Sequence, residues 1–228
     1  MIKTTRRYED FPQRNELMAS RNHKGYSLLE MIITCSIALT MAGVTFVAFR
    51  PMLNQDHTNS AYDTTLMALR NTRNLAITQS HEYYVIFTPS AAGVPATILI
   101  QYQPPAVGAG AAPPLENVIS YTLPTDVNFA VLAGSPAATP DGFGTGITAI
   151  DFESTPGVPL ACNCVVFFPD GSSQDSLGNY NSGIVYLSRP GDTVASYSSK
   201  AITVWGATGR IRGWRLTPVA GVATWVQQ

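Results

Sequence analysis

Residues 26–49 read YSLLEMIITCSIALTMAGVTFVAF, a run of 24 residues in which Glu30 carries the only charge. As a helix, such a run reaches about 36 Å, which is enough to cross the hydrocarbon core of a bilayer. Arg50 and Pro51 follow directly and end the apolar stretch. A cleaved secretory signal has an apolar region of only about 7 to 15 residues, so we predict a membrane-spanning helix over 26–50.

The charge of the chain is distributed unevenly about this helix. The formal net charge is -1 over 228 residues, yet residues 1–25 hold six basic side chains against three acidic ones. This leaves +3 on residues 1–25 and -4 on residues 26–228. Basic flanks stay on the cytoplasmic side, so the chain after Arg50 is expected to leave it. We therefore predict a single-pass membrane protein, which in a bacterial envelope lies in the inner membrane with its C-terminal head in the periplasm.

Glu30 is the unusual residue of the apolar run. An ionised side chain near the centre of a membrane helix costs about 2.5 to 3.5 kcal/mol, and a position near one end reduces that cost without removing it. A carboxylate is favourable here if it meets a cation inside the apolar layer. If the chain were cut between Gly25 and Tyr26, the new α-amine of a neighbouring copy would be that cation. Such a pair stabilises one axial offset between packed helices and leaves an unpaired charge at the others.

The residues around Glu30 resemble the signature of the type IV prepilin-like family, which here reads Lys24-Gly25-Tyr26-Ser27-Leu28-Leu29-Glu30-Met31-Ile32-Ile33. The family signature is a basic leader ending in Gly, an aromatic or apolar residue, a few small or apolar residues, Glu, and about twenty apolar positions. The resemblance implies cleavage after Gly25 by a prepilin peptidase, methylation of the Tyr26 amine, and assembly with other pilin or pseudopilin subunits through an inner-membrane assembly platform.

Two features depart from the usual family pattern. Tyr26 stands where the family most often has Phe, a change that keeps the aromatic ring. The leader, residues 1–25, is also longer than many family leaders. Translation from Met18 would give the eight-residue leader MASRNHKG, so the sequence leaves open whether the chain starts at Met1 or Met18.

Beyond the apolar run, the chain becomes polar but keeps helical spacing as far as about Ser80. Five apolar residues recur on one face of this segment, namely Tyr62, Leu66, Leu69, Ala76 and Ile77. We predict that residues 51–81 continue the helix as an amphipathic segment, with a kink at Pro51 because an interior proline removes one backbone hydrogen bond.

After His81 the pattern changes to short runs typical of strands, separated by turn residues. The predicted strands cover residues 83–88, 97–103, 118–123, 127–132, 147–152, 162–168, 183–188, 201–205 and 210–216. The stretch Pro104 to Pro114, PPAVGAGAAPP, is predicted to be an exposed loop. The fold class is therefore α+β, pilin-like, with a long N-terminal helix followed by a mostly antiparallel β head over residues 82–228.

Three downstream segments narrow the resemblance to the general secretion pathway H and FimT-like group. They are residues 69–77 (LRNTRNLAI), residues 165–171 (VVFFPDG) followed by 183–187 (GIVYL), and residues 201–205 (AITVW) with 209–212 (GRIR). The resemblance covers about residues 26–88 and 162–216.

Composition and motifs give no sign of an enzyme. Apolar residues make up 45% of the chain and charged residues 13%, which excludes a disordered polyampholyte and a basic nucleic-acid coat protein. The sequence holds neither a G-x-S-x-G nucleophile elbow nor a G-x-x-x-x-G-K-[ST] phosphate loop. The three histidines, His23, His57 and His81, lack metal-ligand spacing. We therefore expect no catalytic residue, no metal and no cofactor.

The remaining carboxylates and cysteines have ordinary structural interpretations. Asp170-Gly171 is typical of a turn, and a calcium loop would need more ligands than Asp170 and Asp175 offer. Asp151 and Glu153 are expected on a solvated strand edge. Because an extended strand points Cys162 and Cys164 to one face, we favour two reduced, buried residues over a disulfide between them. Cys35 lies in the apolar run.

A basic cluster near the C-terminus is the one feature that suggests a second function. Arg210, Arg212 and Arg215 lie within six positions, with Trp214 among them. On a strand Arg210 and Arg212 would share a face and reach successive phosphates, while Trp214 would offer a stacking surface. The segment Gly209-Arg210-Ile211-Arg212 resembles a Gly-Arg-x-Arg pattern proposed for DNA contact in FimT-like minor pilins. The alternative is a solvated hairpin whose arginines face acidic neighbours or filament partners.

Together these observations predict a minor pilin or pseudopilin, a structural subunit of a type II secretion pseudopilus or a type IV pilus. Glu30 would set the axial step of the assembled helices. The alternative is a DNA-binding minor pilin that acts in DNA uptake through the Arg210 and Arg212 segment. A plain membrane-anchored β domain is the third interpretation, and it predicts no processing at Gly25.

Overall fold

A computed structural model describes residues 25–105, 113–152, 163–175 and 177–228, of which residues 47–54 are described by their backbone alone. Contacts divide the chain into two compact units, Met1–Val47 and Ala48–Gln228. Apart from Gly25, the predicted leader lies outside the described residues, as does the middle of the predicted 104–114 loop.

One long helix, α1 (Leu28–Gln79, 52 residues), contains both predicted helical segments. It starts two residues after Tyr26, and the helical assignment continues through Pro51. Glu30 lies in the first turn, where a carboxylate interacts favourably with the positive end of the helix dipole. The helix ends just before Ser80, whose φ of 57° is left-handed and cannot continue a helix.

In the first unit, α1 is apolar, and the described residues leave its side chains exposed. The segment Leu28–Phe46 has 19 residues and a mean hydropathy of 1.8, long and apolar enough to cross a membrane, and no other described helix has this character. Its hydroxyl groups are satisfied inside the helix: the Thr34 hydroxyl donates to the Glu30 carbonyl at 2.9 Å, and the Ser36 hydroxyl to the Ile32 carbonyl at 2.7 Å. The polar side chains therefore place no unsatisfied hydroxyl on the apolar surface.

In the second unit, the C-terminal part of α1 packs one face against the β region. The predicted stripe is confirmed at Tyr62, Leu69 and Ala76, which are buried, while Leu66 packs partly buried against the same core. The prediction is wrong for Ile77, which is 40% exposed.

Two antiparallel sheets form the β region. The first has the order β3-β2-β1-β5 and contains β1 (Tyr83–Thr88), β2 (Thr97–Tyr102), β3 (Glu116–Thr122) and β5 (Cys164–Phe167). The second has the order β4-β6-β7-β8-β9 and contains β4 (Ile150–Phe152), β6 (Gly183–Leu187), β7 (Lys200–Trp205), β8 (Arg210–Val219) and β9 (Val222–Gln227). The described chain is thus α+β, an apolar N-terminal helix followed by mostly antiparallel sheet, as the sequence predicts.

The main core lies where α1 meets both sheets. The buried face of α1 packs with apolar side chains of β1, β2, β5, β6 and β7. A smaller cluster that includes Tyr186, Leu216 and Trp225 covers the opposite face of the second sheet. Because both faces are covered, all five residues of β6 are buried, which explains its continuous apolar run.

One predicted strand is absent from the structure, and one observed strand was not predicted. Residues 127–132 are not a strand: Asn128 forms a single bridge to Ser188, and the apolar alternation reflects loop residues such as Phe129 that fill the core. Strand β9 is absent from the sequence prediction, yet it pairs with β8 through a tight turn at Ala220 and Gly221, both with positive φ. The predicted 147–152 strand is shortened to β4.

The oxidation state expected for Cys164 is wrong. Cys164 is buried, as predicted, but it is disulfide-bonded, whereas Cys35 is free. Cys162 lies outside the described residues. The sequence argument against a disulfide between Cys162 and Cys164 assumed that both lie on one extended strand. In the structure β5 begins only at Cys164, and Asn163 lies outside the strand.

A hydrogen-bonded contact joins α1 to two loops of the second unit. Asp126 shares a 2.9 Å hydrogen bond with His57 of α1 and accepts another, also 2.9 Å, from Nε of Arg189. Burial works to raise the pKa of Asp126, but the hydrogen bond from His57 and the charge of Arg189 hold it below its ordinary value.

Glycine is required where β8 meets α1. A Cβ on residue 213 would overlap the Tyr62 hydroxyl and ring, both of which are fixed by the core.

We expect Gly213→Ala to lower the free energy of unfolding by about 1–3 kcal/mol through overpacking, measured by chemical denaturation. In a Tyr62→Ala background the same change should cost much less, because the group that it strikes is gone. Equal costs in both backgrounds would show that this contact is not the cause.

Candidate functional site

The N-terminal end of α1 exposes the residues expected to take part in processing and assembly. Gly25, Tyr26 and Ser27 precede the helix, and Tyr26 is 76% exposed. The Glu30 side chain is exposed, and no described basic group forms an ion pair with it. The peptide bond between Gly25 and Tyr26 therefore lies in non-helical, exposed backbone, and the nearest carboxylate on α1 has no partner in its own described chain.

The helix surface before and after Glu30 exposes large apolar side chains. The large apolar residues on it are 50% exposed or more, and comprise Leu28, Leu29, Met31, Ile32, Ile33, Ile37, Leu39, Met41, Val44 and Phe46. Soluble proteins rarely expose so large an apolar patch, so this surface requires an apolar environment or apolar partners.

Strand β8 separates the predicted basic cluster onto its two faces. Arg210, Arg212 and Trp214 alternate on one face, as expected from their spacing, and pair in register with Trp205, Thr203 and Ala201 of β7. Arg215 falls on the opposite face, the one that packs toward α1. The four residues therefore do not form one surface.

Arg212 is held by Asp141, which a 3-10 turn (Pro140–Gly142) places over the strand. Arg212 donates from Nη1 to Oδ1 of Asp141 at 2.7 Å, and the Asp141 side chain is only 6% exposed. The other carboxylate oxygen accepts bonds from the Thr203 hydroxyl at 2.6 Å and from Nε1 of Trp205 at 3.0 Å. The guanidinium also lies 5.3 Å from the Trp205 ring.

Trp214 belongs to the same cluster. Its Nε1 donates to the Thr203 hydroxyl at 3.0 Å, which in turn bonds to Asp141. The two residues that were expected to offer a second guanidinium and a stacking ring are therefore engaged within the chain. For Arg212 the geometry favours the alternative in which an arginine faces an acidic neighbour.

Arg210 has a different environment. It is exposed and lines a cavity of about 380 Å³ together with Thr208, Gly209 and two arginines of α1, Arg70 and Arg73. No described carboxylate forms an ion pair with any of these three arginines. The cavity therefore has a positive lining.

Within this cavity Arg73 is fixed by the backbone. It donates from Nε to the Gly171 carbonyl and from Nη2 to the Thr208 carbonyl, both at 3.0 Å. Arg70 and Arg73 are not among the site residues predicted from the sequence. Their spacing of three residues places them on one face of α1, and this spacing was the sequence feature that could have indicated a paired basic site. Only the fold, however, brings that face to the turn before β8.

The carboxylates considered as metal or catalytic groups are occupied by local hydrogen bonds. Oδ1 of Asp170 accepts from the Ser172 amide at 2.8 Å and from its hydroxyl at 2.6 Å, and Gly171 has a φ of 81°. The bonds from Ser172 lower the pKa of Asp170, although some burial opposes them. The predicted turn is thus confirmed.

Asp151 accepts from the Thr145 amide at 2.7 Å, and Glu153 lies outside the described residues. Among the described side chains, no group of three or more His, Cys, Asp or Glu is arranged to hold a metal ion.

In comparisons with protein families, curated proteins and solved structures, the chain matches none of them.

The two strand arginines should differ sharply in their effect on stability. We expect Arg212→Ala to lower the free energy of unfolding by about 1–3 kcal/mol, because it leaves the Asp141 carboxylate nearly buried with its cation removed. Arg210→Ala removes the same charge from the same face, but from an exposed side chain, and should change stability by no more than about 0.5 kcal/mol. Denaturation of both variants measures this difference, and equal losses would contradict the assigned ion pair.

Proposed function

We propose that the chain is a type IV pilin-like subunit of the H and FimT-like kind, a minor pilin or pseudopilin that acts by assembling into a filament. The observation that carries the proposal is the uncovered apolar surface of Leu28–Phe46 with a single carboxylate, Glu30, in its first turn. An anchor needs only the apolar surface. A carboxylate within the apolar layer distinguishes an assembly helix from a plain membrane anchor.

Processing supplies the group that Glu30 lacks. A prepilin peptidase would cut after Gly25, in backbone that is exposed and non-helical. The product starts at Tyr26 with a new α-amine, which is methylated in the family that the sequence resembles. This amine is close to Glu30 along the same chain, so a contact between the two would not fix the position of one subunit relative to another. The amine of a neighbouring copy, in contrast, can meet Glu30 at only one axial offset between the two helices.

The pairing then selects the geometry of assembly. In the apolar layer an isolated carboxylate is unfavourable, and a partner amine with good geometry removes much of that cost. At the other axial offsets the two charges stay apart, and the free-energy cost of the unpaired carboxylate remains. The apolar side chains around Glu30 supply close packing, which drives helix association in lipid.

The location proposed for the second unit is the periplasm. The basic leader favours the cytoplasm for residues 1–25, and residues 48–228 follow the apolar segment. The disulfide at Cys164 supports this location, because disulfides persist in oxidising compartments such as the periplasm. In this position the β region would present its surface to secretion or uptake partners.

The assembly role is tested with a matched pair of neutral substitutions on α1. Glu30→Gln removes the apolar-layer charge, whereas Asp56→Asn removes an exposed charge further along the same helix. We expect Glu30→Gln to reduce incorporation into filaments by about tenfold or more while cleavage at Gly25 continues, because breaking a buried pair is costly. Asp56→Asn should assemble normally.

Incorporation is measured as the fraction of an epitope-tagged copy recovered with filaments, or with an untagged copy after gentle detergent extraction. Equal recovery of wild type and Glu30→Gln would contradict the assembly role assigned to this carboxylate.

A second candidate function is DNA contact during uptake, and the cavity beside Arg210 favours it. Three arginines without a described carboxylate partner surround one exposed space, which suits a phosphate backbone. The contact proposed here differs from the sequence expectation, since Arg70 takes the place of Arg212. Trp214 and Arg215 take no part.

DNA contact predicts a specific salt dependence. Arg210→Ala and Arg70→Ala should each weaken binding to duplex DNA and reduce the slope of log affinity against log salt by roughly one unit. Arg215→Ala removes the same charge from the opposite face of β8 and should leave binding unchanged. Fluorescence anisotropy of the full chain in detergent at several salt concentrations makes this comparison, and equal slopes in all three variants would exclude the site.

A further inference from the structure

Two cations of the second unit lie directly opposite each other, and neither forms an ion pair with a described carboxylate. Lys200 of β7 and Arg215 of β8 are register partners on the face that packs toward α1. Lys200 is 8% exposed, and Arg215 is exposed. Like charges directly opposite across an antiparallel pair are destabilising, so the arrangement needs a compensating interaction.

The described residues compensate Lys200 only in part. Its Nζ lies 4.5 Å from the centre of the Tyr62 ring and 3.4 Å from Oε1 of Gln228. No described carboxylate forms an ion pair with Lys200 or Arg215. Asp63 acts on Lys200 only through its field, and burial together with the Arg215 charge keeps the pKa of Lys200 below its ordinary value.

A small polar cavity adjoins the two cations. Its volume is about 150 Å³, and its walls come from α1, from the loop before β7 and from the strand pair. Besides the cations, the lining residues carry amide or hydroxyl groups and are Gln55, Thr58, Asn59, Tyr197 and Ser198. A space of this size accommodates one small group and is below the range of about 300–1,000 Å³ typical of drug-sized ligands.

We propose that this cavity is an anion site that binds a single phosphate group between Lys200 and Arg215. A dianionic tetrahedral group matches two opposed cations in charge, and its remaining oxygens can accept from the side-chain amides of Gln55 and Asn59 on the α1 wall, whereas the Ser198 hydroxyl donates to Asp192. A carboxylate brings one charge and two oxygens, which leaves one cation uncompensated. The bound anion joins α1 to β7 and β8, so binding stabilises the second unit by mass action.

The site is independent of filament assembly and of the cavity beside Arg210. It lies beside Arg215 rather than at the start of β8, and it is lined by a different stretch of α1. Loss of phosphate binding therefore leaves the proposed assembly role untouched, and loss of assembly in a Glu30 variant leaves the phosphate site untouched.

The experiment measures binding of inorganic phosphate to the full chain in detergent by isothermal titration calorimetry, at constant ionic strength in chloride. Acetate is titrated as the carboxylate comparison. We expect about one phosphate per chain, weaker binding of acetate, and a rise in melting temperature with phosphate. Lys200→Met and Arg215→Gln should each weaken phosphate binding by about tenfold or more.

Lys200→Met keeps the length of the side chain and removes a buried charge, so this variant is expected to fold. Glycerol 3-phosphate separates two sources of the group: tighter binding than inorganic phosphate indicates a phosphate monoester, and weaker binding indicates the free ion. Equal affinity of wild type and both variants, or a response that follows ionic strength rather than the kind of anion, would overturn the proposal. If a variant fails to fold, the absence of ³¹P line broadening with the wild-type chain would overturn it equally.

Discussion

The apolar surface of α1 between Leu28 and Phe46 must be covered by something other than its own described chain. Its hydroxyls bond to the helix backbone, so they do not oppose an apolar environment. Glu30 is the exception, because a carboxylate in that environment is stable only with a partner. The proposed processing at Gly25, the filament and the periplasmic location all follow from supplying that partner. Without this requirement, α1 would need nothing beyond a lipid bilayer.

The second unit uses the same helix in a different way. Tyr62, Leu69 and Ala76 are buried against the two sheets, and a glycine on β8 allows the Tyr62 hydroxyl to approach the strand. Polar groups are then distributed over both faces of β8. One face holds Arg212 on Asp141, and the other holds Lys200 and Arg215 beside a small cavity. The sheet therefore separates the Arg212–Asp141 ion pair from two opposed cations that form no ion pair with a described carboxylate.

The sequence was sufficient for the α+β class because the helical spacing in the second half of α1 and the short apolar runs bounded by turn residues are strong local signals. It failed where local pattern and tertiary role differ. Phe129 fills the core from a loop, and β9 follows an Ala220-Gly221 turn that lacks the usual Asn-Gly signal. The contacts made by Arg212 and Arg215 could not be predicted from the sequence. Asp141 lies 71 residues from Arg212, and only the strand register places Lys200 opposite Arg215.

The N-terminus of the mature chain tests the central claim most directly. Intact-mass and N-terminal sequence measurements would be made on the chain purified from cells that contain an active prepilin peptidase. The proposal predicts a polypeptide that begins at Tyr26 with a methylated α-amine, four positions before the carboxylate that such an amine is to meet on another copy. A chain that retains residues up to Gly25 under these conditions would contradict it, because Glu30 would then have no cation to pair with in the apolar layer.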